Sequence, residues 1–569
     1  MTTNQEELSG TRSGYALVTR GRYALMGLYV ESMEGIEHDM AALGLVGLNS
    51  SQSAVLTENQ PVFPDSAPKE VTALEIKRED LVAIAIFLQD PLIKGVIEAL
   101  VVKIMDNLTW AAGGPLSGKG QYTSASNIGV YLWAVVAAHD LNLISRSTAD
   151  SLVSATLNEV AALDRYQGLL YQWYDTTNGH KIRNPGDIDC AADPPPHTDN
   201  CDFLSAVDNG WYASGLIVVR RALPELRRQV DALLQPMNFG LFYDSGYQHP
   251  GCNVNAPTDP SPNQPTGQMY GGYYANQGPA GYHNGALYSD PRIAMYIGMG
   301  LHQMPGDVWW RSWRVLPPKQ CDTDPDFSWI GQWPVQGYWH TYTDFQSGKK
   351  FNVWEGHYED LGTSTIFVPT WAGGMFEGLM ANLVMPETTF GPRSFGLNDL
   401  RWAQVQVQYA TQSLHYPVWG MSPSSTSDDS GGYGGFGVEG LLFPYFGGGA
   451  DSSHPNLGLS QCHGCAAEDT ISPHASFLAL PVLPQQAYAN IVNLRTLYPD
   501  VYSPDGGFYD AVNPVTGSIG HRRLVLDQSM IMAALDNAIT HGAMQRHFAS
   551  DPVARIGLLY LAHEKMSIH

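Results

Sequence analysis

The sequence contains few basic residues: 31 Lys and Arg stand against 55 Asp and Glu among 569 residues, which gives a formal net charge of −24. This surplus of negative charge repels phosphate backbones and anionic lipid headgroups, so it argues against nucleic-acid and membrane-surface partners. Long hydrophobic runs are also absent, because polar residues interrupt each apolar stretch well before the roughly 20 residues of a membrane span. We therefore expect a soluble protein with no nucleic-acid or membrane partner.

Residues 1–7 (MTTNQEE) contain neither the basic nor the apolar region of a secretory signal, which indicates either that the protein is not secreted or that a signal has been replaced. The six cysteines favour secretion, because an even number of cysteines in loop-like segments is typical of disulfides in an oxidising compartment. The simplest pairing is Cys190–Cys201, Cys252–Cys321 and Cys462–Cys465. For the last pair, a zinc site completed by His463 or His454 is the alternative. We therefore expect the protein to be secreted or periplasmic.

Charged residues make up only 15% of the chain and hydrophobic residues 44%, which is enough to bury a large core. Apolar residues recur at the three-to-four spacing of amphipathic helices in about a dozen stretches, for example 128–141 and 152–163. The sequence has neither a GxGxxG motif after a strand nor a repeat of about 34 or 40 residues, so the helices are predicted to pair and close into an α/α toroid. The glycine-rich segment 111–121 divides the chain, and residues 1–118 are predicted to form an N-terminal helical extension.

Several common catalytic motifs are missing: the GxSxG nucleophile elbow, the HExxH zinc helix and the phosphate-binding GxxxxGK[ST] loop. The glycine-rich stretch 431–437 (GGYGGFG) has no following Lys, so a nucleotide site is not expected there. Acidic residues at 322–326 and 428–429 could bind calcium, but acidic loop residues of an acidic protein usually face solvent. We therefore expect neither a cofactor nor a bound metal ion at the active site.

Aromatic residues make up 11% of the chain, and many Trp, Tyr and His side chains, Trp339 and Trp354 among them, are predicted to lie in loops. The longest of these loops are 236–285 and 415–472. Aromatic rings stack on the apolar faces of sugars, so this composition favours a carbohydrate cleft. About half of these aromatics are expected to pack in the core instead, together with Trp133 and Trp402, which lie within helical patterns.

Glycoside hydrolysis needs two carboxyl groups that face one glycosidic bond. The candidates are the acidic residues in apolar or glycine-rich surroundings: Asp208, Asp290, Glu377, Glu439, Glu468 and Asp469. For each of them alone, a structural role as a helix cap or an arginine partner is as well supported as catalysis.

Six short segments occur in an order that resembles the glycoamylase-like domain: 123–129 (TSASNIG), 205–211 (SAVDNGW), 282–294 (YHNGALYSDPRIA), 371–380 (WAGGMFEGLM), 419–422 (WGMS) and 471–475 (ISPHA). That domain is found in glycoside hydrolase family 144, the endo-β-1,2-glucanases, and in the cyclisation domain of cyclic β-1,2-glucan synthases. The resemblance extends from Thr123 to the C-terminus. It implies an (α/α)6 toroid, with residues 119–569 as the catalytic domain.

The resemblance also implies roles for single residues, with Glu377 as general acid, Asp290 as general base, and Asp208 positioning the substrate or relaying a proton. Substrate contacts are implied for residues of these motifs and of the acidic segment before Ile471: Tyr282, His283, Arg292, Trp371, Trp419, Glu468 and Asp469. Relatives carry Glu where this chain has Asp290. The shorter side chain leaves room for a water molecule, which favours inversion of the anomeric centre.

We therefore expect a secreted endo-β-1,2-glucanase that inverts the anomeric centre and acts on a polysaccharide or an oligosaccharide. One alternative is the same fold acting on another glycan linkage, by exo action or by transglycosylation. Another alternative is a carbohydrate-binding protein without hydrolytic activity.

Overall fold

The computed structural model describes residues 122–184, 189–192, 200–246, 267–312, 314, 336–359, 365–370, 373–429, 433–438, 470–503, 507–566 and 568. Several predictions concern residues outside these ranges. They are the N-terminal extension (1–118), the acidic residues 322–326, the cysteines at 252, 321, 462 and 465, and Trp371, Glu439, Glu468 and Asp469.

Helices dominate the described part of the chain. The α-helices are α1 (Ala125–Asp140), α2 (Arg146–Ala162), α3 (Ala206–Ala222), α4 (Arg227–Leu234), α5 (Arg292–Gly300), α6 (Asp307–Arg311), α7 (Met375–Leu379), α8 (Glu387–Phe390), α9 (Phe395–Gln408), α10 (Pro473–Leu478), α11 (Pro484–Leu497), α12 (Val525–Ile539), α13 (Ala543–Ala549) and α14 (Ala554–His563). The helix-rich class predicted from the apolar spacing is confirmed. The closure of these helices into an (α/α)6 toroid stays a prediction.

The strands are mostly short and pair in small antiparallel sheets. They are β1 (Tyr122–Thr123), β2 (Arg165–Tyr166), β3 (Leu169–Leu170), β4 (Tyr174–Asp175), β5 (Phe203–Ser205), β6 (Gly272–Tyr274), β7 (Gly278–Pro279), β8 (Gln336–Thr343), β9 (Lys350–Glu359), β10 (Ile366–Phe367), β11 (Ser424–Ser425), β12 (Tyr433–Gly434), β13 (Tyr502–Ser503), β14 (Gly507–Phe508), β15 (Ala511–Val512) and β16 (Ile519–Gly520). The longest pair joins β8 to β9, with Gln336 opposite His357 and Thr343 opposite Lys350. This hairpin contains Trp339 and Trp354 and so corrects the prediction that they lie in loops.

Helix α1 packs against both α3 and α12 and is buried along almost its whole length. It begins where the sequence predicts, because the Ser124 side chain accepts a hydrogen bond from the Asn127 backbone N–H at 3.2 Å. Glycines let α1 and α3 approach closely, since a side chain at Gly215 would collide with the backbone of Gly129. The close crossing fixes the position of α3, whose first turn carries Asp208.

Two further predictions are confirmed within the described residues. Cys190 and Cys201 form a disulfide with their Cα atoms 5.6 Å apart. Trp133 and Trp402 are fully buried in the hydrophobic core. As for membrane insertion, no helix in the described ranges combines the length and the apolar character that a crossing requires.

Candidate active site

Helix α3 positions the first of the predicted acidic residues. The side chain of Ser205, which precedes the helix, accepts a hydrogen bond from the Asp208 backbone N–H at 3.2 Å and so fixes the first turn. The Asp208 carboxylate in turn accepts a hydrogen bond from Gln172 Nε2 at 3.2 Å. Trp211 follows almost one turn later, on the same side of the helix. The start of α3 thus places the Asp208 carboxylate and the Trp211 indole N–H on the same side of the helix.

Asp290 lies directly before α5 and is half-buried. The Trp211 side chain donates a hydrogen bond to its carboxylate, and Asp208 is near enough to repel its negative charge. Burial and the repulsion from Asp208 raise the pKa of Asp290 to about 6, although Arg292 and the Trp211 hydrogen bond oppose the shift. The structure therefore brings together two of the three residues predicted to be catalytic.

Arg292 is fully buried, and the protein itself occupies all five of its N–H donors. Two of them bind the Glu387 carboxylate at 2.7 and 2.8 Å. The others bind backbone carbonyl oxygens of Ser289 at 2.9 Å, Glu377 at 3.1 Å and Gly378 at 2.5 Å. The predicted contact of Arg292 with substrate is therefore wrong, because this guanidinium has no donor left for a sugar. It instead ties the segment that carries Asp290 to helix α7.

Helix α7 carries Glu377, whose side chain is buried. The first turn of this short helix is held by Ser422, whose side-chain oxygen accepts a hydrogen bond from the Phe376 backbone N–H at 3.1 Å. Glycine is required at position 378, because a side chain there would press against the ring of Trp402. The Phe-Glu-Gly sequence therefore places Glu377 on a helix that lies directly on the core.

The hydroxyl of Tyr433 lies within the electrostatic influence of several of these carboxyl groups. Its strand β12 pairs with β11, so that Tyr433 lies opposite Ser425. The side chain is 45% exposed. Its hydroxyl feels the charges of four carboxyl groups, those of Asp527, Asp510, Asp290 and Glu377. Desolvation of the hydroxyl and these negative charges raise the pKa of Tyr433 well above its usual value of 10.

Asp510 and Asp527 were not among the candidates from the sequence. Asp510 lies between β14 and β15, and its Oδ2 accepts a hydrogen bond from the Ser425 backbone N–H at 2.6 Å. Asp527 lies in the first turn of α12. Desolvation and the nearby Asp510 raise its pKa well above the usual range. Asp510 follows the glycine-rich, apolar segment GGFY. Apolar or glycine-rich surroundings were the signal that selected Asp208, and the same signal could have identified Asp510.

His474 completes a buried group with these two aspartates. Backbone pairing between Ile471 and Val512 brings the start of α10 next to β15. Donor atoms of His474, Asp510 and Asp527 all lie within 4.8 Å of one another. Burial lowers the pKa of His474 to about 4, so its imidazole is neutral at pH 7. One nitrogen and two carboxylate ligands in this arrangement could hold a metal ion.

The remaining predicted substrate contacts lie in different environments. Tyr282 is 42% exposed, and its ring covers Gly271, where a side chain would collide with it. His283 is half-buried between the ring of Tyr270, which it stacks on at 4.8 Å, and the carboxylate of Asp244, which is 2.9 Å from its Nε2.

The prediction for Trp419 is wrong, because this side chain is 4% exposed and packs in the core, where it cannot stack on a sugar. Trp371, Glu468 and Asp469 lie outside the described residues, so their predicted contacts stay predictions.

Family models match two parts of the chain. Residues 339–552 match the Glycoamylase model ("Putative glucoamylase"), and residues 114–278 match DUF3131, a family of unknown function. Residues 339–552 are therefore similar to a glycoamylase-like domain. Glu377, Tyr433 and both aspartates of the His474 group lie within the Glycoamylase match. Asp208 lies within the DUF3131 match, and Asp290 lies between the two.

A curated protein shares sequence with part of this chain. The cyclic β-(1,2)-glucan synthase NdvB of Rhizobium meliloti (strain 1021) is 29% identical over 205 residues. The matched segment covers 34% of this chain and only 6% of that much longer protein. The resemblance to cyclic β-1,2-glucan synthases therefore concerns a small part of that protein.

Solved structures share the fold over most of the chain. The endo-β-1,2-glucanase of Chitinophaga pinensis, in complex with sophorotriose and glucose, is 15% identical, with a TM-score of 0.52 over 85% of this chain and 98% of that one. A point mutant of the endo-β-1,2-glucanase of Talaromyces funiculosus, in complex with β-1,2-glucan, is 10% identical, with a TM-score of 0.51 over 88% and 94%.

A structure from Bacteroides fragilis that bears the same description as the family model is 18% identical, with a TM-score of 0.52 over 85% of this chain and 96% of that one. At these identities the likeness to solved structures shows a common fold. Together with the family model, it confirms the resemblance to the glycoamylase-like domain.

Proposed function

We propose that this chain is a glycoside hydrolase that acts on a glucan, and more specifically an endo-β-1,2-glucanase with an (α/α)6 toroid. The observation that carries the proposal is the environment of Asp290, a half-buried carboxyl group with a pKa of about 6 that shares the surroundings of the Tyr433 hydroxyl with Glu377. Two carboxyl groups in different environments are the chemical requirement for cleaving a glycosidic bond. The fold shared with two endo-β-1,2-glucanases supports the choice of linkage.

The environment of Asp290 suits the proton donor of such a reaction. A general acid must hold its proton near neutral pH, which a carboxyl group of pKa about 6 does far better than an unperturbed one. Sequence resemblance implies the opposite assignment, with Glu377 as acid and Asp290 as base. We propose instead that Asp290 protonates the leaving oxygen and that Glu377 activates the attacking water.

Asp208 and Trp211 support Asp290 in this mechanism. The negative charge of Asp208 favours the protonated form of Asp290, while the Trp211 indole N–H holds the orientation of the carboxyl group. Asp290 is also one methylene shorter than a glutamate would be. The wider separation from Glu377 leaves room for a water molecule and favours inversion of the anomeric centre.

The Cys190–Cys201 disulfide supports a further part of the proposal, that the enzyme works in an oxidising compartment such as the periplasm or the extracellular space.

The test is release of new reducing ends from a panel of polysaccharides that includes β-1,2-, β-1,3- and α-1,4-glucans. We expect cleavage of β-1,2-glucan, and loss of about 10²–10⁴-fold in turnover for both Asp290→Asn and Glu377→Gln. Glu159→Gln, the same chemical change at an exposed position on α2, is the matched control and should retain activity. Cleavage of another linkage would contradict the substrate assignment. Binding of oligosaccharides without any hydrolysis or transfer would favour a carbohydrate-binding protein.

A further inference from the structure

The group formed by His474, Asp510 and Asp527, called the His474 cluster below, is nearly inaccessible to solvent. The three side chains are 2%, 1% and 1% exposed. They come from three separate elements, α10, the β14–β15 connection and α12, and converge so that their ligand atoms lie within 4.8 Å. A sugar ring cannot enter so closed a space, but a single ion can.

Most of the polar atoms in the cluster lack a hydrogen-bond partner. Asp510 Oδ2 is satisfied by the Ser425 backbone N–H. Among the described residues, Asp510 Oδ1, both carboxylate oxygens of Asp527 and His474 Nε2 have none while both aspartates are ionised. Asp527 Oδ2 lies 3.6 Å from His474 Nδ1, and a proton on Asp527 would allow a hydrogen bond to Asp510. Burying two carboxyl groups without partners is costly, so the site requires positive charge from either a metal ion or a proton.

We propose that His474, Asp510 and Asp527 bind one divalent transition-metal ion. Two carboxylates balance the charge of a divalent cation, and an imidazole nitrogen is a common ligand of such ions. An imidazole ligand favours ions of the zinc type over calcium and magnesium, which prefer sites built from oxygen alone, and the two carboxylates also suit manganese.

The cluster borders the proposed glucanase site, because Asp510 and Asp527 act on the Tyr433 hydroxyl together with Asp290 and Glu377. The proposal concerns metal binding, which is measured without turnover, so it can fail or hold independently of the glucanase assignment. It is also distinct from the zinc site considered for Cys462 and Cys465, which has thiolate ligands. The competing arrangement is a single proton shared between Asp510 and Asp527, in which one carboxyl group donates a hydrogen bond to the other.

The experiment measures metal binding by the full chain, purified without a histidine tag and freed of metal with a chelator. A Cys462→Ser/Cys465→Ser background removes the thiolate site. Titration calorimetry with ZnCl2 and with MnCl2 should show one ion bound per chain for at least one of the two metals. Both Asp527→Asn and His474→Gln should weaken binding at least about 100-fold, more than the loss typical of a residue that only supports a ligand.

Asp536→Asn is the matched control, because Asp536 is a buried aspartate on the same helix α12 and lies outside the cluster. This variant should bind metal as the parent does, and circular dichroism should show all variants folded. Absence of stoichiometric binding at micromolar metal, or equal affinity in Asp527→Asn and its parent, would overturn the proposal. The competing arrangement predicts a different result: the metal-free protein should show the infrared carbonyl band of a protonated carboxyl group, and this band should disappear in Asp527→Asn. That result without metal binding would show that the two aspartates share a proton.

Discussion

Replacing Arg292 with methionine tests the largest disagreement between the sequence and the structure. Methionine keeps much of the side-chain volume but removes the positive charge and all five donors. Glu387, which is fully buried, would then be an uncompensated charge, a change that costs about 3–5 kcal/mol in other proteins. Three buried backbone carbonyls would also lose a donor. We therefore expect the free energy of unfolding to fall by at least about 3 kcal/mol.

The assay is chemical denaturation followed by tryptophan fluorescence, with Arg227→Met as the matched control. Arg227 is 65% exposed and lies 3.5 Å from Asp231, so its loss should cost no more than about 1 kcal/mol. A double variant, Arg292→Met/Glu387→Leu, should regain part of the stability, because no unpaired charge remains in the core. If Arg292→Met keeps native stability and only raises KM for glucan, the reasoning is refuted and the sugar contact implied by sequence is right.

Three further outcomes are expected. In the pH profile of kcat/KM, activity should fall as pH rises through about 6, where Asp290 loses its proton. Asp208→Asn should move this alkaline limb to lower pH, because it removes a negative charge that raises the Asp290 pKa. An alkaline limb that does not move would exclude this coupling between the two carboxyl groups. Proton NMR of the first product from β-1,2-glucan should show the α-anomer, and early β-anomer would indicate retention. Cys190→Ser/Cys201→Ser should lower the free energy of unfolding by about 3 kcal/mol, because the disulfide closes a loop with a sequence separation of 11 residues. An unchanged denaturation midpoint would show that the disulfide does not stabilise the fold.

Features that depend on neighbours in sequence were predictable. Ser124 caps α1 because the hydroxyl and the N–H that it accepts from are three residues apart, and the sequence displays both. The bridge between Cys190 and Cys201 joins the ends of one short loop. The apolar spacing around Trp133 and Trp402 similarly predicted that both rings would be buried.

Features that depend on distant partners were not predictable. An arginine in a motif beside a candidate catalytic acid looks like a substrate ligand, unless the buried Glu387, 95 residues further along the chain, is known to face it. Tryptophan is a residue type that often stacks on sugar rings, so Trp419 was predicted to contact substrate. Its burial follows from core packing that no local pattern encodes. Tyr433 lies in a glycine-rich stretch that was considered only for nucleotide binding. The raised pKa of its hydroxyl depends in part on four carboxyl groups that other elements contribute.

Arg292 also links the two parts of the candidate site. Asp290 lies between the two family matches, and Glu377 lies within the second, so the sequence gives no local link between them. The guanidinium supplies that link, because it binds the carbonyl of Ser289, next to Asp290, and the carbonyl of Glu377 itself. In the proposed mechanism, the separation of these two carboxyl groups decides whether a water molecule fits between sugar and base. In that mechanism, the hydrogen bonds of one buried side chain help to fix the distance on which the stereochemical outcome depends.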